Sequence, residues 1–340
     1  MKKVIFYFSG LLLCGALIVT SCKKKDTTPA DDAGTQQENA DDDARVQSES
    51  NSAADDANAA LSGDGNVSGR LSAITATAKK HTFLYLVAGA DSIVVDSTNT
   101  PATITIYYDG KTNVNGRTRS GSISIQLTTG TQWKDTNAVI TLTFNNFVST
   151  RIIDRKTLTI SGSKTITNLT GGLVSKLGSS GYGFTTISHQ IQTTGSGLTI
   201  TFDNGKTVNW NTNRTRSITY VTTVSLFGIP IVREYRYTLS GDNTTQVPGS
   251  NVAWWGVNRN GENFNDIIVS PVVYDESIDW LGPISGKIEI TGIAKTLTIT
   301  YGVNSSGVPV SNPSATNQPY GYELNWTNLA GNAASAIIAY

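Results

Sequence analysis

From Arg70 to Tyr340, apolar and polar residues alternate in short runs broken by Gly, Asn, Asp and Ser. Ile104, Ile106 and Tyr108 alternate with Thr103, Thr105 and Tyr107, and Ile123, Ile125 and Leu127 alternate with Ser122, Ser124 and Gln126. A period of two sends successive side chains to opposite faces, so each run predicts a strand with one buried and one wet face. Similar runs occur around Ile140, Leu198, Ile288 and Leu297, and no helical period competes with them. The pattern predicts an all-β fold of two related antiparallel lobes, sandwich-like in form, over residues 67–195 and 196–340.

The two-lobe expectation comes from a self-similarity. Ile104-Thr-Ile-Tyr-Tyr-Asp-Gly-Lys-Thr precedes Arg117-Thr-Arg-Ser, and Leu198-Thr-Ile-Thr-Phe-Asp-Asn-Gly-Lys-Thr precedes Arg214-Thr-Arg-Ser. A fainter copy starts at Leu297. Such spacing is too long for a propeller blade or a short solenoid repeat. Asp109-Gly110 and Asn204-Gly205 supply residues that accept positive φ, as tight turns need.

The first 66 residues follow different rules. Lys2 and Lys3 precede an apolar run from Val4 to Val19, the order of a secretory signal over residues 1–21. Val19-Thr20-Ser21-Cys22 matches a lipobox, in which the Cys22 thiol is acylated before cleavage, so the membrane is an expected partner through a lipid anchor of the palmitate type. Lys23 rather than aspartate follows Cys22, which favours the outer membrane, with the periplasmic or surface orientation left open. Residues 22–66 then read as a lipidated tether, with Lys23 to Glu38 too polar to order itself. From Ala40 to Leu61 the chain is Ala-rich, Asp41 to Asp43 suit a helix start, and Ser62-Gly63 suits its end. A short helix there competes with a disordered acidic stalk.

Composition narrows the function classes. The 340 residues carry 26 basic and 26 acidic side chains, so no net field draws the chain to nucleic acid. The only cysteines are Cys14 and Cys22, both in the leader segment, which leaves the β region without disulfides or cysteine zinc sites. No cofactor is implied.

Gly116-Arg117-Thr118-Arg119-Ser120-Gly121, Gly162-Ser163-Lys164-Thr165-Ile166-Thr167-Asn168, Asn258-Arg259-Asn260-Gly261 and Ser285-Gly286-Lys287-Ile288-Glu289-Ile290 together resemble segments of uncharacterised all-β lipoproteins of the Bacteroidota type. The resemblance covers most of residues 100 to 302 and implies an exported, lipid-anchored β protein. It brings no activity with it. Relatives of that type often carry cysteines near the last two segments, and this chain has none.

Candidate chemistry is sparse. His81 and His189 each lie in a strand-like run with no nucleophile motif nearby, so no catalytic residue is assigned. Asp275, Glu276 and Asp279 beside Trp280 are the nearest approach to the paired carboxylates of a glycoside hydrolase. Arg117 with Arg119, and Arg214 with Arg216, would share strand faces and either pair with carboxylates, face water or bind an anion. Trp254-Trp255 is the candidate ligand surface, because neighbouring strand residues point to opposite faces and only one enters a single core easily. The expected role is a non-enzymatic binding or structural component of the envelope, with a glycan or another envelope protein as partner. The alternative is a cell-surface glycan-processing enzyme.

Overall fold

A computed structural model describes residues 32–62, 89–96, 101–114, 116–226, 229–241, 251–278, 282–292, 296–327 and 331–340. The leader, Cys22, His81, Asp279 and Trp280 lie outside the described residues. Among the described residues the fold is all-β apart from one long helix and a 3₁₀ turn at Val174–Lys176.

Helix α1 spans Asp32–Ser62. It ends where Ser62-Gly63 predicts, but it starts well before Ala40. Seven residues assigned to the tether, Asp32 to Glu38, are therefore helical, and Asp41 to Asp43 are interior positions instead of an N-terminal turn. Good helix formers and the absence of proline let the helix propagate. The sheet side chains that meet Glu38 and the aspartates give it a reason to do so.

Fifteen strands follow among the described residues: β1 Ser92–Asp96, β2 Thr103–Asp109, β3 Arg117–Thr129, β4 Ala138–Arg151, β5 Thr157–Asn168, β6 Thr186–Thr193, β7 Leu198–Phe202, β8 Thr207–Leu226, β9 Ile229–Gly241, β10 Val252–Val257, β11 Asn263–Asp275, β12 Ser285–Thr291, β13 Leu297–Val303, β14 Gly321–Thr327 and β15 Ala333–Ala339. Every pairing is antiparallel, and spatial order follows chain order as in a meander. β6 and β7 lie end to end between β5 and β8, while β9 and β10 do the same between β8 and β11.

This is one sheet, and it corrects the expected division at 195/196. β5 from one side of that boundary pairs with β7 from the other, and β6 pairs with β8. Long strands each serve two short neighbours, so no break in hydrogen bonding separates two lobes. The repeated segments also differ in pairing. β2 pairs with residues that follow Arg117-Thr-Arg, whereas β7 pairs with residues that precede Arg214-Thr-Arg. What recurs is local: a strand, a turn with Gly110 or Gly205 at positive φ, and two arginines on the inner face.

One apolar core joins α1 to the strands. Ala53, Ala54, Ala57 and Ala60 belong to the same buried cluster as Ile106, Ile123, Leu142, Ile160 and Leu297. The outer face carries cross-strand hydroxyl pairs, such as Thr105 with Ser124 and Thr143 with Ser163, which accounts for the abundant Thr and Ser. A bulge in β4 brings the Asn146 carbonyl over Gly121, whose φ is 86°. A Cβ at Gly121 would lie 2.2 Å from that oxygen. Gly121→Ala is therefore expected to cost roughly 1–3 kcal/mol through the backbone conformation alone, with the collision added. Urea unfolding measures it, and an unchanged midpoint would refute the bulge geometry.

Candidate functional site

Helix α1 has eight acidic residues against one arginine and no apolar face broad enough to drive its burial. Yet from Asn39 to Leu61 only Ala44 is exposed. The sheet wraps this polar rod because it presents the opposite charge to it.

Near the start of the helix, Arg259 forms two hydrogen bonds to Asp42 and a third, of 2.7 Å, to Glu38 Oε1. The guanidinium lies 4.9 Å over the Phe202 ring and also reaches Asp203 at 3.1 Å. Asp41 accepts from Arg151 of β4 at 2.6 and 3.0 Å. At mid-helix, Glu49 sits between Arg117 at 2.8 Å and Arg119 at 3.0 Å and also accepts from the Ser149 hydroxyl at 2.7 Å. Burial alone would push the Glu49 carboxyl up, but Arg119, Arg117 and the hydrogen bonds overcome it and hold the group below its usual range. Arg117 and Arg119 thus meet a carboxylate, the first of the roles open to the arginine pairs in the sequence.

Further along, Lys164 is fully buried and donates to the Ser50 carbonyl and hydroxyl instead of to an acid. Burial pushes its ammonium well down. Arg214 reaches Asn51 and lies 4.7 Å over Trp254. Asp56 accepts from the Tyr108 hydroxyl at 2.5 Å, with Arg119 at 3.5 Å, yet burial raises its carboxyl to about 7. Asp43 and Asp266 of β11 are buried together. No donor among the described residues serves Asp266, and burial, with the nearby Asp43 charge, pushes its carboxyl well up. Two amide hydrogen bonds from Gln47, at 2.8 and 2.7 Å, hold Asp43 in place.

One stripe of α1 keeps access to solvent. Gln37, Asp41, Ala44, Ser48, Asn51, Asp55 and Ala59, spaced three or four residues apart, are exposed or half-buried. Beneath the second half of this stripe lies a cavity of about 200 Å³ between the helix and strands β8, β9 and β11. Arg216 forms one wall, bonded to both Asp55 oxygens at 2.7 and 3.0 Å and stacked 4.3 Å over Tyr237. Glu276 forms another, accepting from the Tyr235 N–H at 2.8 Å and the Tyr237 hydroxyl at 3.1 Å. Burial, and Asp55 nearby, raise the Glu276 carboxyl. Leu239 and Tyr274 supply apolar surface.

The candidate ligand surface at Trp254-Trp255 is not what the structure shows. A register shift between Val252 and Trp254 buries Val252, Ala253 and Trp254 in succession, and Trp254 becomes core, 6.4 Å from Trp210 and beneath Arg214. Trp255 is half-buried and has no aromatic partner among the described residues. His189 is buried against Trp133, and burial lowers it to about 3, so it is a neutral core residue. Of the described residues of the acidic cluster at the end of β11, Asp275 is fully buried against Arg236 and Glu276 reaches the cavity. Sequence reasoning named Glu276 and Arg216 but not Ser48, Ser52 or Tyr274, because nothing in the strand pattern shows that a polar helix lies against it.

No family model, curated protein or solved structure matches this chain.

Proposed function

We propose that this chain is a lipid-anchored envelope protein, acylated at Cys22 and held at the outer membrane, with a binding or structural role and no catalysis of its own. The leader composition and the Val19-Thr20-Ser21-Cys22 motif support the anchor, as does the resemblance to Bacteroidota-type lipoproteins. The observation that carries the non-enzymatic reading is the state of the cavity carboxylates. Asp55 and Glu276 share one cavity, as the two acids of a glycoside hydrolase would. Each nevertheless has both oxygens engaged within the fold, Asp55 by Arg216 and Glu276 by Tyr235 and Tyr237. A catalytic acid must instead aim its proton at a leaving group.

In sequence, Asp32 lies ten residues after Cys22, and near the start of the helix Arg259 and Arg151 grip Glu38, Asp41 and Asp42. Growth of the native bacterium with an alkyne fatty acid tests the anchor. The wild-type chain should incorporate the label and partition with membranes, and Cys22→Ala should do neither. Equal labelling of Cys22→Ala would overturn the assignment.

A further inference from the structure

We propose that the cavity between α1 and strands β8, β9 and β11 binds one ring of a neutral, hydroxyl-rich saccharide. The proposal deepens the binding role above and rests on it. Three observations converge. First, the cavity lies beneath the only stripe of α1 that solvent reaches, and its volume of about 200 Å³ suits a single small ring rather than a chain of them.

Second, the fold leaves hydrogen-bonding capacity unused there. The hydroxyls of Ser52 and Tyr274 line the cavity and bond to no other described residue. Ser48 accepts from Arg117 at 2.9 Å and keeps its own proton to donate. Groups that both donate and accept, set beside the apolar surfaces of Leu239 and Tyr274, match a ligand whose hydroxyls and C–H faces alternate.

Third, the charged side chains on the cavity lining are already paired. Arg216 is satisfied on two nitrogens by Asp55, and Glu276 is satisfied on both oxygens. A charged ligand would find no free counter-charge among the residues that line the cavity, and an unpaired charge out of water is costly. Neutral hydroxyls meet no such obstacle.

Saturation-transfer NMR on the described fold within the full chain tests this, with the methyl glycosides of glucose, galactose, mannose and N-acetylglucosamine as probes at millimolar concentration. At least one is expected to bind. Tyr274→Phe, which keeps the ring and loses the hydroxyl, should weaken it about tenfold, the effect of one hydrogen bond. Ser52→Leu, which removes no hydrogen bond among the described residues and fills the cavity, should abolish binding while the melting temperature stays close to that of the native chain. If Ser52→Leu fails to fold, Tyr274→Phe still decides. No saturation transfer from any probe, transfer undiminished in Tyr274→Phe, or displacement of the probe by equimolar acetate or phosphate would each overturn the proposal. Release of methanol from a bound glycoside would leave this site standing and sink the non-enzymatic reading instead. Labelled Cys22 without sugar binding would do the reverse.

Discussion

Glu49→Ala is expected to remove about 3–5 kcal/mol of stability, the usual cost of deleting one partner from a buried ion pair. The side chain is 1% exposed and joins α1 to two strands at once, through Arg117 and Arg119 of β3 and the Ser149 hydroxyl of β4. Its loss strands two guanidinium groups with no carboxylate between them. Arg259→Ala should cost a similar amount by the converse route, since Asp42, 4% exposed, would stay buried without its partner. The exposed pair provides the contrast. Arg151 and Asp154 are linked at a short distance, but both side chains are a quarter to a third exposed, and water screens the interaction. Asp154→Ala should therefore cost less than about 1 kcal/mol, even though Arg151 holds the carboxyl low. Urea unfolding of the three variants checks this order. Equal losses at Glu49 and Asp154 would mean that the helix is not enclosed.

Buried titrating groups predict opposing pH slopes. Asp56 is raised from 3.8 to about 7 by burial, against Arg119 and the Tyr108 hydroxyl and with Asp55 and Glu49 adding to it. The native state thus keeps a proton between pH 4 and 7 that the unfolded chain has released. More protons on the native state make stability fall as pH rises through that window. At 1.36 kcal/mol per unit, the contribution of Asp56 is about 4 kcal/mol. His189 acts the other way. Burial and Arg216 depress it from 6.5 to about 3, so the unfolded chain gains a proton first as pH falls, and stability is lost from pH 6.5 downward. The two slopes offset each other in the native protein and separate in variants. His189→Phe, which retains packing on Trp133, should lose stability as pH rises from 4 to 7. Asp56→Asn, a neutral isostere of the protonated acid, should gain it over the same range. Parallel profiles for the two variants would contradict the burial of Asp56 and His189.

The strands were legible because alternation is a local property. Ile104, Ile106 and Tyr108 are all buried on one side of β2, as their spacing requires. Turn glycines and the end of α1 at Ser62 follow from equally local chemistry. The fate of the helix did not, since its stability rests on partners from 52 to 221 residues away. A bare Ala-rich face promises little buried area, and only the inward arginines explain why the segment orders at all. Those arginines were visible as Arg117-Thr-Arg and Arg214-Thr-Arg, but spacing gives the shared face and not the partner across it. Likewise, the register shift that sends Trp254 into the core depends on how β10 meets β11. The cavity was hidden for the same reason, being formed by a helix and three strands that sequence order keeps apart.

Hydrogen exchange of the α1 amides tests the enclosed helix most directly. A helix gripped along its length by Arg259, Arg119 and Arg216 opens only when the sheet does, so Asn39 to Leu61 should exchange as slowly as β4 and β5. A solvated polar helix of this length is marginal on its own and exchanges quickly. Exchange of the Asn39–Leu61 amides within seconds, while β4 and β5 stay protected, would show that the acidic helix does not occupy the basic interior of the sheet.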